Sequence, residues 1–389
     1  MNSTLLRGGI SAALLVLIGL WSWRLSADAA NRALVFSLLA GTALGVVLQR
    51  SRFCFFCNFR DFAEKRDSRG LIAIVAALAV GTALYTAVTM AWVPVPQPGR
   101  LPPNAHIGPV SWVLALGAFV FGVGMAIAGS CLSAHFYRLG EGSPTSPFAL
   151  VGAAAGFLLG FLTWNRLYLV AVSESVPVWL PHHLGYAGTL LATLAALGAI
   201  AAALVRFGRW SPEPAAAPDL AGISAAIFRN RWPALAGGTA VGVISALYFF
   251  RVAPLGVTAE LGSLVRTAGA ARGWLPGTLL GLDTLRGCAT MVKETVLSNN
   301  GLLVTGIVLG SLASALPAGQ FKPAWPSRTQ IGRGLLGGVL MGWGAMTALG
   351  CTVGVLLSGI HAGALSGWVF LVFCTLGVWL ALPVVRRLA

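Results

Sequence analysis

Six cysteines are spread along the 389-residue chain: Cys54, Cys57, Cys131, Cys288, Cys351 and Cys374. They do not form the two C-x2-C pairs of a structural zinc site, so no metal is expected. A thiol can attack as a nucleophile, exchange disulfides or, when protonated, donate a weak hydrogen bond. Four of the cysteines stand in three segments that break an otherwise apolar sequence. These are Arg50-Ser51-Arg52-Phe53-Cys54-Phe55-Phe56-Cys57-Asn58-Phe59-Arg60-Asp61, Gly129-Ser130-Cys131 running on to Tyr137-Arg138-Leu139-Gly140-Glu141-Gly142, and Gly350-Cys351-Thr352-Val353-Gly354. Gly129 and Gly350 permit close backbone approach or a helix break. The N–H groups exposed at such a break favour an anion.

The remaining polar residues near these segments have plainer readings. Cys57 forms a C-x-x-C pair with Cys54, which leaves a redox role open. Cys288 lies in a polar stretch with Asp283, Lys293 and Glu294, either lining the outer half of a path or sitting in an ion-paired loop. Cys374, inside an apolar run, reads as a small buried hydrophobe. His135 follows Cys131 by four residues, on the same face of a continuing helix, but no third group is evident to orient a Cys–His pair. A hydrogen-bonding histidine at a helix end is the expectation. Arg138 and Glu141 read as a structural pair, Arg50 and Arg52 as membrane-boundary anchors first and anion attractors second, and His182-His183 as part of a short external loop.

The elements that position these residues are membrane helices. The chain is 57% apolar and 10% charged, where soluble domains carry about 25% charge. Uncharged apolar runs cover Ala33–Gln49, Leu71–Val93, Val110–Ala128, Leu184–Val205 and Gly363–Val384, each near the length that spans hydrocarbon as a helix. Nothing alternates as a β-barrel would. The net charge of +15 reads as basic cytoplasmic loops rather than a nucleic-acid surface. Arg50–Arg69, Arg206–Arg231, Lys322–Arg333 and Arg386-Arg387 are assigned to the cytoplasmic side, and Pro94–Gly108 to the outside. About ten crossings with both termini inside satisfy these assignments. Phe53–Phe62 and Gly256–Asn300 do not fit as whole spans and read as loops or half-inserted segments. Residues 1–32 form an extra first helix, read as retained although Ala27-Asp28-Ala29 resembles a cleavage site. Residues 33–205 form a first transmembrane half, 206–232 a cytoplasmic linker, and 233–389 a second half.

The halves are related. Gly41-Thr42-Ala43-Leu44-Gly45-Val46-Val47 recurs as Gly238-Thr239-Ala240-Val241-Gly242-Val243-Ile244, and Gly122-x-Gly124 precedes Cys131 as Gly342-x-Gly344 precedes Cys351. By charge, the first copy runs inward and the second outward. That is the pattern of an inverted repeat, whose site sits at the midplane on broken helices.

These segments resemble the YeeE/YedE family of sulfur transport proteins. The likeness rests on the Arg-x-Arg-Phe-Cys-Phe segment with its Arg-Asp, the Gly-x-Cys segment leading to Tyr-Arg-x-Gly-Glu-Gly, and the late Gly-Cys-Thr-x-Gly. It covers the chain from about Ala33 onward. Ser130 stands where a second glycine is frequent, and Cys57 is an addition. The resemblance implies an all-α, hourglass-shaped inner-membrane protein that takes up thiosulfate, or a related sulfur or selenium species. It further implies that Cys54, Cys131 and Cys351 pass the ion onward by hydrogen bonding without covalent exchange. Cys288, Arg52, Gly129 and Gly350 are further candidates for the path.

Such a path is physically reasonable. A small dianion crosses hydrocarbon only at a cost of many kcal/mol, so a corridor must replace water with donors that still release the ion. Neutral thiols donate weakly and match a soft terminal sulfur, whereas thiolates would repel it. No G-x-x-x-x-G-K-[ST] motif is present, so ATP hydrolysis is not built in. No cofactor is expected, and no catalytic residue is assigned. A thiol-redox or persulfide-transfer enzyme would ordinarily need a thioredoxin-like βαβ unit, for which the chain has no room. The basic loops also suit docking of a cytoplasmic sulfur-carrier protein.

Overall fold

Each long apolar run forms a helix, and each glycine- or proline-rich interruption ends one. The computed structural model describes residues 3–97, 99–210, 220–284, 290–295 and 297–387. In order the helices are α1 (Ser3–Ser26), α2 (Arg32–Ser51), α3 (Phe55–Lys65), α4 (Arg69–Trp92), α5 (Trp112–Ala128), α6 (Leu132–Gly140), α7 (Ser146–Leu167) and α8 (Leu180–Phe207). The second group comprises α9 (Leu220–Phe228), α10 (Ala234–Arg251), α11 (Val257–Ala271), α12 (Asn299–Ala315), α13 (Arg328–Thr347), α14 (Ser358–His361) and α15 (Leu365–Arg387). A π-helical turn, Thr352–Leu357, leads into α14. Among the described residues, β structure is confined to isolated bridges. Among the described residues, nine helical segments are long and apolar enough to cross a membrane, and α12 adds a shorter apolar helix of 17 residues. The chain is an all-α polytopic membrane protein.

Within a bilayer the hydrophobic effect does not drive helices together, and close packing of small residues takes its place. The repeated glycines do this work. A β-carbon on Gly41 or Gly45 of α2 would overlap the carbonyls of Leu303 and Ile307 on α12. One on Gly238 or Gly242 of α10 would crowd the carbonyls of Ala73 and Ala77 on α4. Likewise Gly156 of α7 meets Val339 on α13, as Gly377 of α15 meets Phe119 on α5. In all four pairings residue numbers rise together, so the partners are parallel.

The repeat-related helices themselves are antiparallel. Gly117 of α5 lies against Thr347 of α13 and Gly124 against Gly337. Ser37 of α2 meets the Tyr248 hydroxyl of α10 at 3.0 Å, while Ser51 abuts Gly237. The structure is thus an inverted repeat, with α2 to α7 answered by α10 to α15. Outside it, α1 packs on α2 and α12, and α8 on α4.

The segments assigned to one side by charge meet at one end of the bundle. Arg209 N–H donates to the Arg66 carbonyl, Arg386 pairs with Glu64 at 3.1 Å, and Lys322 N–H donates to the Glu141 carbonyl at 3.1 Å. At the other end, Leu180 N–H donates to the Gly363 carbonyl at 2.8 Å, and Pro109 bridges Pro177. Within the span from Arg206 to Arg231, α8 runs to Phe207 and α9 occupies Leu220–Phe228. One expectation changes in form. His182 and His183 lie in the first turn of α8 rather than in a loop.

Candidate functional site

The stretches that fit no whole span are short helices entered through sharp breaks. Three breaks share one construction. A residue of positive φ stands two places before a cysteine, and the cysteine is the N-cap of the next helical segment. Arg52 (φ 52°) precedes Cys54 and α3, Gly129 (φ 77°) precedes Cys131 and α6, and Leu349 (φ 61°) precedes Cys351 and the π-helical turn. Gly350 adds a second positive φ, 149°. Arg52 and Leu349 are held in a conformation that disfavours residues with a β-carbon, a form of strain concentrated at functional positions.

The three sulfurs are buried: Cys54 and Cys351 are 0% exposed and Cys131 4%. Cys54 Sγ lies 3.7 Å from Cys131 Sγ and 3.5 Å from Ser130 Oγ. Cys351 Sγ lies 3.6 Å from Ser133 Oγ, in the first turn of α6 beyond Cys131. Cys54 and Cys351 accept backbone hydrogen bonds from Cys57 and Val353, each at 3.4 Å. Cys54 and Cys131 therefore touch between α3 and α6, while Cys351 meets α6 at Ser133. A cavity of about 40 Å3 lies among Phe53, Phe55, Cys131, Ser133, Thr352 and Leu356. One water needs roughly 10–15 Å3 of such space, so the cavity holds a few waters at most and larger occupants require these side chains to part.

Other candidates fall elsewhere. Cys374 is fully buried on α15. Cys288 lies outside the described residues. Arg52 is exposed at the basic end. Arg50, expected at the boundary, is only 1% exposed. Its guanidinium donates to the Asn230 carbonyl, and its own carbonyl accepts from Trp232 at 3.0 Å, latching α2 to the segment before α10. Glu141 faces Arg231 at 3.7 Å rather than Arg138. Arg138 instead donates to the Gly129 carbonyl at 3.4 Å, steadying the break before Cys131. His135 turns to Ser146 at 3.1 Å, away from a Cys–His pair.

Outside the spans, Arg69 beside Asp67 holds that carboxyl below its usual range. Burial lowers the His106 imidazole to about 4. His106 lines a small cavity with Leu349 and Val355, which flank Cys351. Near α11, Arg266 pairs with Asp283 at 2.8 Å and Lys293 with Glu260. Among the described residues, no group of three or more His, Cys, Asp or Glu could hold a metal.

Sequence reasoning missed Ser133 as the neighbour of Cys351 and Leu349 as a left-handed residue. The serine was visible in the Cys131 segment, but its partner lies 218 positions away. Nothing in a leucine announces positive φ.

Comparison with known proteins is in keeping with this arrangement. The family model described as "Sulphur transport" matches residues 50–380, from the first break through most of α15. A thiosulfate transporter of Spirochaeta thermophila is 32% identical over 361 residues, 88% of this chain and 96% of its own. A thiosulfate transporter of Escherichia coli is 27% identical over 360 residues, 88% and 92% of the two chains. A probable transporter of Escherichia coli, YedE, is 33% identical over 81 residues, 21% and 20% of the two chains.

Proposed function

The chain belongs to the sulphur transport family, and from that membership we propose that it takes up thiosulfate across the inner membrane through a relay of neutral thiols. The observation that carries this reading is the burial of Cys54, Cys131 and Cys351 around the start of α6, the first two in sulfur–sulfur contact and the third against Ser133, two residues beyond Cys131. The basic end is the cytoplasmic side. The ion approaches Cys351 from the opposite end, passes Ser133, and leaves by Cys131 and Cys54.

Each step exchanges one set of weak donors for the next. Thiol S–H and serine O–H groups donate to the anion, and the helix N-termini behind the cysteines add a favourable field. When no ion is present, the Cys54 and Cys351 sulfurs accept from those helices. Two thiolates 3.7 Å apart would repel each other strongly in a low dielectric, so the Cys54–Cys131 pair keeps at least one proton. No bond is made or broken along the path. A cytoplasmic sulfur-carrier protein fits the basic end as the acceptor of the ion.

Radiolabelled thiosulfate uptake by the purified protein in liposomes tests the reading. Uptake is expected without any partner protein, with competition by unlabelled thiosulfate far exceeding that by sulfate, sulfite or selenite. Selenite as the best competitor would reassign the substrate, and no flux would remove the transport reading. A thiol-redox reading draws on the Cys54–Cys57 pair, whose Cys57 N–H donates to Cys54 Sγ at 3.4 Å. It requires uptake or activity to depend on Cys57, which Cys57→Ala decides.

A further inference from the structure

Among the described residues, four breaks inside the bundle lead into α3, α6, α11 and the π-helical turn, and three of them carry a cysteine at the N-cap. The fourth, ahead of α11, corresponds in the repeat to the Cys54 break ahead of α3. Gly256 stands at its N-cap and supplies no capping side chain. The first turn, Val257 to Glu260, is nonetheless buried; the Glu260 N–H donates to the Gly256 carbonyl at 3.3 Å, and the amides before it have no intrahelical acceptor by helix geometry.

The chain opposite this turn is pinned along α11. Arg266 Nη1 donates to the Thr290 carbonyl at 2.6 Å, Met291 N–H to Ser263 Oγ at 3.1 Å, and Lys293 N–H to Thr267 Oγ1 at 2.8 Å. This fixes Thr290, which is 6% exposed. Its hydroxyl has no hydrogen-bond partner among the described residues. A buried hydroxyl left unsatisfied is costly. Thr290 and Thr258 both line a cavity of about 10 Å3 that also touches Ala259, Leu349 and Gly350. Gly350 is the residue immediately before Cys351.

We propose that this cavity is an anion station in which the hydroxyls of Thr258 and Thr290 and the first-turn amides of α11 receive a small sulfur oxyanion before it reaches Cys351. The proposal rests on the transport reading above and deepens it. Hydroxyl and amide donors suit the oxygen end of such an ion, as thiols suit its terminal sulfur. The station lies on the side of Cys351 away from the basic end, because α10 starts against Ser51 and α11 follows its far end. The cavity has room for about one water, so the arriving ion displaces it and parts the 290–293 segment from α11.

The test uses full-length protein, monodisperse by size exclusion, in proteoliposomes with radiolabelled thiosulfate. Thr290→Val and Thr258→Val each remove a hydroxyl at nearly constant volume, and Thr290→Ser keeps the hydroxyl while deleting the methyl that packs on Gly262. Loss of a hydrogen bond to a charged group predicts a KM raised about tenfold in each valine variant, with the maximal rate within about twofold of wild type and Thr290→Ser close to wild type. An unchanged KM in both valine variants, with uptake still lost in Cys351→Ser, overturns the station and leaves transport standing. Thr290→Ser as impaired as Thr290→Val assigns the residue to packing and also overturns it. Absence of uptake in wild type removes both readings.

Discussion

A sulfur at the start of a helix can accept from the helix amides or donate to an ion placed over them. Cys54 and Cys351 make the first contact here, and transport requires the second. Ser133 should matter because its hydroxyl lies 3.6 Å from the Cys351 sulfur. Ser133→Ala is expected to lower initial uptake by about three- to tenfold, the worth of one ordinary hydrogen bond. An unchanged rate in well-folded protein would remove Ser133 from the path. Cys374→Ala serves as the counter-case. That thiol shares the buried core with Cys351 but lies inside α15 rather than at a helix break, so uptake should stay within about twofold of wild type, with a small loss of stability from the vacated volume. At this scale the sequence was informative where types are rare. Cysteines flanked by glycine in polar segments could be singled out. The left-handed Leu349 could not, nor the burial of Arg50, since both depend on distant partners.

Helices here meet through glycine, and the consequences differ from one glycine to the next. Gly41→Ala places a β-carbon onto the Leu303 carbonyl, and overpacking of this kind costs about 1–3 kcal/mol. Gly198→Ala on α8 meets nothing within 4 Å and should stabilise by about 0.5–1 kcal/mol through helix propensity alone. Thermal midpoints of the two variants should move in opposite directions. A shared direction would contradict the packing described. The outer loop carries its own pH signature. His106 titrates near 4 in the fold and near 6.5 when unfolded. The unfolded chain therefore binds the extra proton between those values, and stability falls as pH drops through that window. The loss is about 2 kcal/mol at pH 5. The thermal midpoint should fall between pH 7 and 5 in wild type and fall less in His106→Gln. Equal falls would place the sensitivity elsewhere.

Element by element, the apolar runs from Ala33 onward located most of the spanning helices to within a few residues. The short helices α3 and α11 fall in stretches that read only as loops or half-inserted segments, because a brief amphipathic helix carries too little apolar length to separate it from a loop.

The whole molecule is two copies of one pattern, inverted and interlocked. The sequence carried that pattern in two glycine motifs, and the structure supplies their reason: equivalent glycines admit equivalent neighbours at α2–α12 and α10–α4. Charge predicted which segments share an end, because positive residues do not cross a bilayer easily during insertion. Neither signal reveals how far the short helices reach into the bundle. That depth decides whether the three sulfurs gather around the start of α6, and it is set by packing between halves. The asymmetry of the pattern matters as much as its symmetry. Two thiol breaks lie in the first half and one in the second, and the remaining break is built with hydroxyls around Gly256.

The most direct test of the relay is the initial rate of thiosulfate uptake into liposomes containing wild type, Cys54→Ser, Cys131→Ser or Cys351→Ser, each shown to be folded and inserted to the same extent. Serine keeps a donor of similar size but replaces the soft sulfur. The account predicts at least about a tenfold loss in every variant, a difference of about 1.4 kcal/mol from the poorer match of a hydroxyl to the ion's soft terminal sulfur, without any covalent adduct on the wild-type cysteines during turnover. Full uptake in Cys131→Ser and Cys351→Ser, or a persulfide trapped on either residue, would contradict it.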